Sequence, residues 1–208
     1  MIFPMSSSPS QRGAYHHGDL RRSLVDAAST AAEELGAAKV SVREVARRAG
    51  VSHAAAYHHF ADKNDLLRAV ALEAFAVLRT RMATASDSPD LVEALTGCAH
   101  AYLGFARERP AAFRFMWARE LCMPGDAPDP LADAQRGLAA DLDAVLARHA
   151  DALDHSGDPR LGMLANWSMV HGFATIVVDT PAFKHSPDAE LDAITRSLIG
   201  ALVRGIGR

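Results

Sequence analysis

Apolar residues recur along this chain at three- and four-residue spacing, the period of a helix with one buried face. After Gly18, with Asp19 as cap, Leu20, Leu24, Ala27, Ala31 and Leu35 form such a stripe, and Gly36 closes it. Ser41 with Glu44 three positions on is a capping box, so a short helix starts there with Val42, Val45, Ala46 and Ala49 facing inward. Gly50 stops it, because glycine accepts the left-handed backbone that a helix end requires. Ser52 offers the next N-cap, and a second short helix runs through Tyr57 to Phe60. Two short helices joined by a glycine-containing turn are a helix-turn-helix, whose second helix can enter a major groove.

A long helix opens near Asp62 or Lys63, with Leu66, Leu67, Val70, Ala74, Val77 and Leu78 on its apolar face. TASDSP (84–89) reads as a linker. Beyond it the pattern predicts helices over about 90–108, closed by Pro110, then 111–121, 131–153 and 160–178, and a last one from Pro187. PGDAPDP (124–130) and HSGDP (155–159) read as loops, and the Ser/Pro-rich stretch 1–13 as a disordered tail. Alanine is abundant and period-two Val/Ile runs are absent, so the expected fold class is all-α. The domains expected are a tail at 1–13, a three-helix helix-turn-helix domain at 14–62, a connecting helix at 63–83 and a larger helical domain at 84–208.

Composition narrows the function. An apolar content of 49% over 208 residues suffices for a real core. The longest largely apolar run is 173–178, too short to span a membrane, and no secretory segment opens the chain, so a cytoplasmic protein without membrane contact is expected. Cys98 and Cys122 are too few for a disulfide framework and lack metal-ligand spacing. Residues 1–70 hold nine Lys or Arg against seven Asp or Glu, a balance of +2, so the remainder carries −5 of the total −3. Five of the ten histidines also fall in that first part, whose positive charge therefore grows below neutral pH. This weak asymmetry fits one domain that meets phosphates and another that does not.

From Tyr15 to Leu78 the chain resembles the DNA-binding domain of the TetR family of transcriptional regulators. The matching features are the AxxAGVS turn (Ala46, Ala49, Gly50, Val51, Ser52), the YxxF of Tyr57 and Phe60, and the KxxLL of Lys63, Leu66 and Leu67. NWSMVHGFATI, with Trp167, His171 and Gly172, resembles the tryptophan-histidine-glycine motif of one TetR-type C-terminal domain. Ala56 departs from the family pattern, where Leu, Ile, Val or Pro is usual, which implies looser packing. The resemblance implies double-stranded operator DNA as partner. His53, Ala54, Ala55 and His58 on the second helix are the candidate base readers, since a histidine can donate or accept and an alanine methyl can meet a thymine methyl. Tyr57, His59 and Lys63 are assigned to phosphate, beside the cap Ser52; Arg43 resembles a family position that reaches base or phosphate. His59, next to Phe60, equally fits a satisfied core residue. Tyr15, His16 and His17 could form an arm along the backbone or a solvated segment.

The resemblance also implies a homodimer through the last two helices and a pocket among the middle ones. Gly172 would allow another helix to approach closely. Candidate pocket residues are His100, Tyr102, Phe105, Phe113, Met116, Trp117, Trp167, Met169 and His171, a mixture of aromatic bulk, polarizable sulfur and hydrogen-bonding tips that suits a small, largely apolar or aromatic effector. A plain packed core fits the same residues. No metal is expected: adjacent histidines on a helix, as at 16–17 and 58–59, point about 100° apart and rarely share an ion. No cofactor and no catalytic residue is expected either. An enzyme using His171 or His100 as base would lack a nucleophile elbow, a phosphate-binding glycine loop, HExxH or a Cys–His arrangement. Two readings of a DNA-binding regulator therefore stand: a dimeric repressor released by a small molecule, and an effector-independent regulator whose C-terminal core is filled.

Overall fold

Serine and glycine set the first helix boundaries through local chemistry. In the computed structural model, which describes residues 11–123, 128–149, 159–183 and 185–206, every element among the described residues is helical. Ser41 Oγ accepts the backbone N–H of Glu44 at 3.1 Å and opens α2 (Val42–Arg48), and Ser52 Oγ accepts that of Ala55 at 3.1 Å and opens α3 (His53–His59). Between them Gly50 sits at φ 69°, a left-handed conformation that costs glycine nothing. Only half of the expected capping box is made. The Glu44 carboxylate turns instead to Arg47 at 2.7 Å and Arg48 at 2.8 Å, because charged donors outbid a backbone N–H.

The first helix is longer than its polar pattern suggests: α1 spans Gln11–Leu35 and ends at Gly36, φ 80°. It runs through Gly13 and Gly18, since an interior glycine costs only about 1 kcal/mol relative to alanine. The expected tail therefore falls partly inside α1 at 11–13, and its residues 1–10 lie outside the described ones. The core of this unit, Met1–Val70, gathers Leu24, Ala28 and Ala31 of α1, Val45 and Ala46 of α2, Ala56 of α3, Phe60 and Leu66, all essentially without solvent access. Ala56, the departure from the family pattern, is fully buried.

α4 (Lys63–Ala85) carries residues of both units, which part at Val70 and Ala71 rather than at 84–89. It continues as far as Ala85 because Thr80 and Thr84 return their hydroxyls to the carbonyls of Ala76 and Thr80, at 2.9 and 3.2 Å, and so do not compete with the helix. In the second unit, Ala71–Arg208, α5 (Leu91–Glu108) is the central helix, packed on α6 (Pro110–Met116), α7 (Pro130–Arg148), α8 (Pro159–Asp179) and α9 (Asp188–Ile206). α6 is shorter than the expected 111–121 and gives way to a 3-10 turn at Arg119–Leu121. α7 ends at Arg148 instead of near 153; the loop residues 124–127 and 155–158 lie outside the described residues.

α5 approaches the end of α4 closely enough to require glycine. A Cβ placed on Gly97 would stand 2.3 Å from the backbone oxygen of Ala85, whereas one on Gly104 in the same helix meets nothing within 4 Å. Gly97→Ala should lower stability by about 1–3 kcal/mol, as overpacking does. Gly104→Ala should raise it by up to roughly 1 kcal/mol. Denaturant midpoints of the two variants check this, and equal midpoints would remove the close approach.

Candidate nucleic-acid interface and ligand cavity

One face of α3 is left to solvent. His53, Ala54, Tyr57 and His58 stand at i, i+1, i+4 and i+5, so they share a side of the helix, and all four are exposed. Tyr57 keeps 46% of its surface in solvent despite its aromatic ring. Ser52 and Arg43 are also exposed, while Ala55 and His59 are half-buried on the flank of α3. Lys63, at the start of α4, donates to the carbonyl of Ala38 at 3.2 Å; an ammonium has three N–H groups, so this leaves donors for a phosphate. Tyr15, His16 and His17 belong by backbone to the first turns of α1 rather than to an arm preceding a helix. Their side chains lie outside the described residues.

The arginines next to this face are tied down. Arg47 and Arg48 hold the Glu44 carboxyl at about 2, well below the usual carboxylate range. Arg48 also reaches Glu34 of α1 at 2.6 Å, which fixes α2 against α1. The Arg21 guanidinium stands 5.1 Å from the Phe60 ring and shields the end of α3. The Glu44 pairs could be read from their three- and four-residue spacing. The Arg48–Glu34 pair, fourteen residues apart, could not.

The second unit holds a mostly apolar cavity of about 440 Å³, within the range of small-molecule sites, about 300–1,000 Å³. α4, α5, α7, α8 and the 3-10 turn after α6 line it, through residues such as Met82, Leu138, Leu142, Met163 and Val170. Of the nine expected pocket residues, Tyr102, Trp117 and Trp167 line this cavity. Phe105 and Met116 are core, with no solvent access, and Met169 faces a small gap shared with α5 and α9. His100 lies in a wider, open cleft of about 930 Å³, near Asp192 at 3.4 Å. The charged groups of that cleft are spent on one another or on neighbours: Arg107 on Asp188, Glu108 on Arg81 and Asp179 on Arg114. The smaller cavity is the better ligand site for that reason.

Phe113 and His171 stand behind the cavity wall. The Tyr102 hydroxyl and His171 Nδ1 are 2.8 Å apart, and the His171 ring lies 5.0 Å from Trp117, 5.7 Å from Trp167 and 5.7 Å from Phe113. Burial pushes the Tyr102 phenol above its ordinary range, with the Trp117 and Trp167 indoles opposing the rise, and burial lowers the His171 imidazole below its own. With the phenol protonated and the imidazole neutral, the two share one hydrogen bond whose direction follows the imidazole tautomer. Trp117 Nε1 lies near the Tyr102 oxygen but outside hydrogen-bonding geometry, so it stays without a partner. Asn166, only 5% exposed and lining the cavity, has no donor for its Oδ1 among the described residues. Sequence reasoning missed Asn166, although an amide inside the apolar stretch 161–179 was the available signal. It also missed Arg119, for which no local signal existed.

α8 carries a surface the chain leaves uncovered. Along Leu161–Asp179 only Asn166, Ala174 and Val177 are buried, and Leu161, Leu164 and Ile176 are 63%, 49% and 48% exposed. By length and composition this stretch could cross a membrane, which corrects the expectation that no segment is long enough. Scattered polar residues such as Asn166 and His171 interrupt its apolar runs without lowering its average enough.

Residues 24–70 match bacterial regulatory proteins of the tetR family, and residues 95–202 match the tetracyclin repressor-like C-terminal domain. The chain is 27% identical over 193 residues to the uncharacterized HTH-type transcriptional regulator Rv0681 of Mycobacterium tuberculosis, covering 90% of this chain and 82% of that one. It is 42% identical to the HTH-type transcriptional regulator BetI of Escherichia coli over 59 residues, 28% of this chain and 30% of that protein. A protein of unknown function from Rhodococcus sp. RHA1 has a similar structure, with TM-score 0.78 and 27% identity over 94% of this chain and all (100%) of that one.

The half-buried His171 makes stability pH-dependent. Its lowered value means the unfolded chain takes the proton more readily, so stability is complete above the ordinary imidazole value of about 6.5 and falls as pH drops through it. His171→Gln, which still offers Tyr102 an acceptor, should flatten that part of the profile. Melting temperatures at pH 7.5, 6.0 and 5.0 check this, and parallel profiles for the two proteins would contradict it.

Proposed function

Because the chain belongs to the TetR family of DNA-binding transcriptional regulators, we propose that it acts as a dimeric repressor released from its operator by a small, largely apolar effector. The observation that carries this reading is the double duty of α8. Met163, Asn166, Trp167 and Val170 of this helix line the cavity, while Leu161, Leu164 and Ile176 wait uncovered. A ligand in the cavity therefore touches the helix that a second copy would cover together with α9. A bilayer is a poorer cover, since α8 packs within a helical domain on α5 and α9 and buries an amide. An unfilled cavity also favours an effector over a regulator with a packed C-terminal core. No catalytic step enters this reading, and a cytoplasmic location follows from it.

The exposed face of α3 then meets base edges with His53, Ala54 and His58, joined from its flank by Ala55, and Tyr57, His59, Lys63 and Arg43 meet phosphates beside the Ser52 cap. Tyr15, His16 and His17 are placed along the backbone. Two recognition helices engage successive major grooves when about 34–36 Å apart. Met82, near the end of α4, lines the cavity, and the same helix begins at Lys63. An occupant that displaces α4 changes the spacing of the recognition helices.

Operator selection from random DNA, followed by titration, tests the assignments. His53→Ala or His58→Ala should change which base is preferred at one position, by about 1–3 kcal/mol, and Lys63→Ala or Tyr57→Phe should weaken all sequences alike. A Tyr57→Phe protein with altered base preference would contradict them. The mass of the protein on its operator should correspond to at least two chains. Among the described residues, a Cβ added to Gly172 would meet nothing within 4 Å beyond its own stretch of helix. Gly172→Ala should thus leave the single chain folded and weaken self-association at least tenfold; unchanged association would remove α8 from the dimer contact.

A further inference from the structure

The cavity of about 440 Å³ is unbalanced in charge. Among the described residues that line it, Arg119 is the one ionised side chain, and it stands exposed on the 3-10 turn with no carboxylate paired to it there. Several other guanidinium groups of the second unit pair with carboxylates: Arg79 with Asp141, Arg114 with Asp179, Arg196 with Glu93. The rest of the wall is apolar, with Leu138, Leu142 and Val170 facing the same space.

We propose that the effector is an apolar monocarboxylate, its carboxylate gripped by Arg119 and its body lying along the apolar wall. This inference rests on the cavity being the effector site. A planar guanidinium matches one carboxylate with two parallel hydrogen bonds. An ammonium compound would meet like charge. A polyphosphate would need further cations, and the lining has none. A neutral ester would fill the apolar wall and leave the guanidinium unused.

The protein carries two tryptophans, Trp117 and Trp167, and both line the cavity, so its own fluorescence reports occupancy without DNA. Decanoate, methyl decanoate and decylamine serve as probes of the full-length protein. Decanoate should give a saturable change at submillimolar concentration, with the ester and the amine at least about tenfold weaker. Arg119→Gln should bring decanoate down to the level of the ester, and Arg119→Lys should keep most of the preference for the acid. The absence of a saturable response to decanoate would overturn the proposal. So would an ester or amine as tight as the acid, or an Arg119→Gln protein unchanged towards decanoate. Equal, saturable binding of all three probes removes the carboxylate and keeps the cavity as a ligand site. Selective acid binding that leaves operator affinity untouched removes the effector reading and keeps the carboxylate.

Discussion

A helix as apolar as α8 cannot cover all of its surface within one chain of this size. Part of it packs on α5 and α9 through Ala174 and Val177, part borders a cavity, and Leu161, Leu164 and Ile176 remain in solvent. Isolated exposed leucines are ordinary, but several on one helix beside a glycine with open space around it are an unfinished interface. The aromatic group behind the cavity holds α8 in place from the other side. Tyr102 of α5 bonds His171 of α8, and Phe113 and Trp117 crowd the same ring. Stiff rings on three helices leave little freedom for the wall, so an occupant that does not fit the space must move a helix.

The first unit follows a different logic. Its short helices, seven residues each, are too brief to be stable alone and depend on caps and a shared core. Ser41 fixes where α2 begins, Gly50 and Ser52 fix where it gives way to α3, and Ala56 anchors α3 so that His53, Ala54, Tyr57 and His58 face outward. The Glu34–Arg48–Glu44 chain of ion pairs binds α2 to α1 near the surface, where such pairs contribute little to stability but settle orientation.

This difference explains what the sequence disclosed. The helix-turn-helix was legible because its signals are local: a cap, an αL glycine and a second cap within about a dozen residues. The start of α1 was not, since a glycine at 18 costs too little to stop a helix. Among the proposed pocket residues, Tyr102, Trp117 and Trp167 line the cavity while Phe105 and Met116 are sealed core. Helical period identifies the buried side of a helix but not which part of that side faces a void, because the void is made by several helices at once. Arg119 and Asn166 illustrate the same limit, as each gains meaning only from what surrounds it.

The central claim is that cavity and operator are coupled. Its most direct measurement is the operator dissociation constant with the cavity empty and with it saturated by a ligand that reports through Trp117 and Trp167, together with the ligand dissociation constant off and on operator DNA. The account predicts antagonism by a factor of about 5–150, equal in both directions as linkage requires. Operator affinity unchanged by a saturating cavity ligand would contradict it.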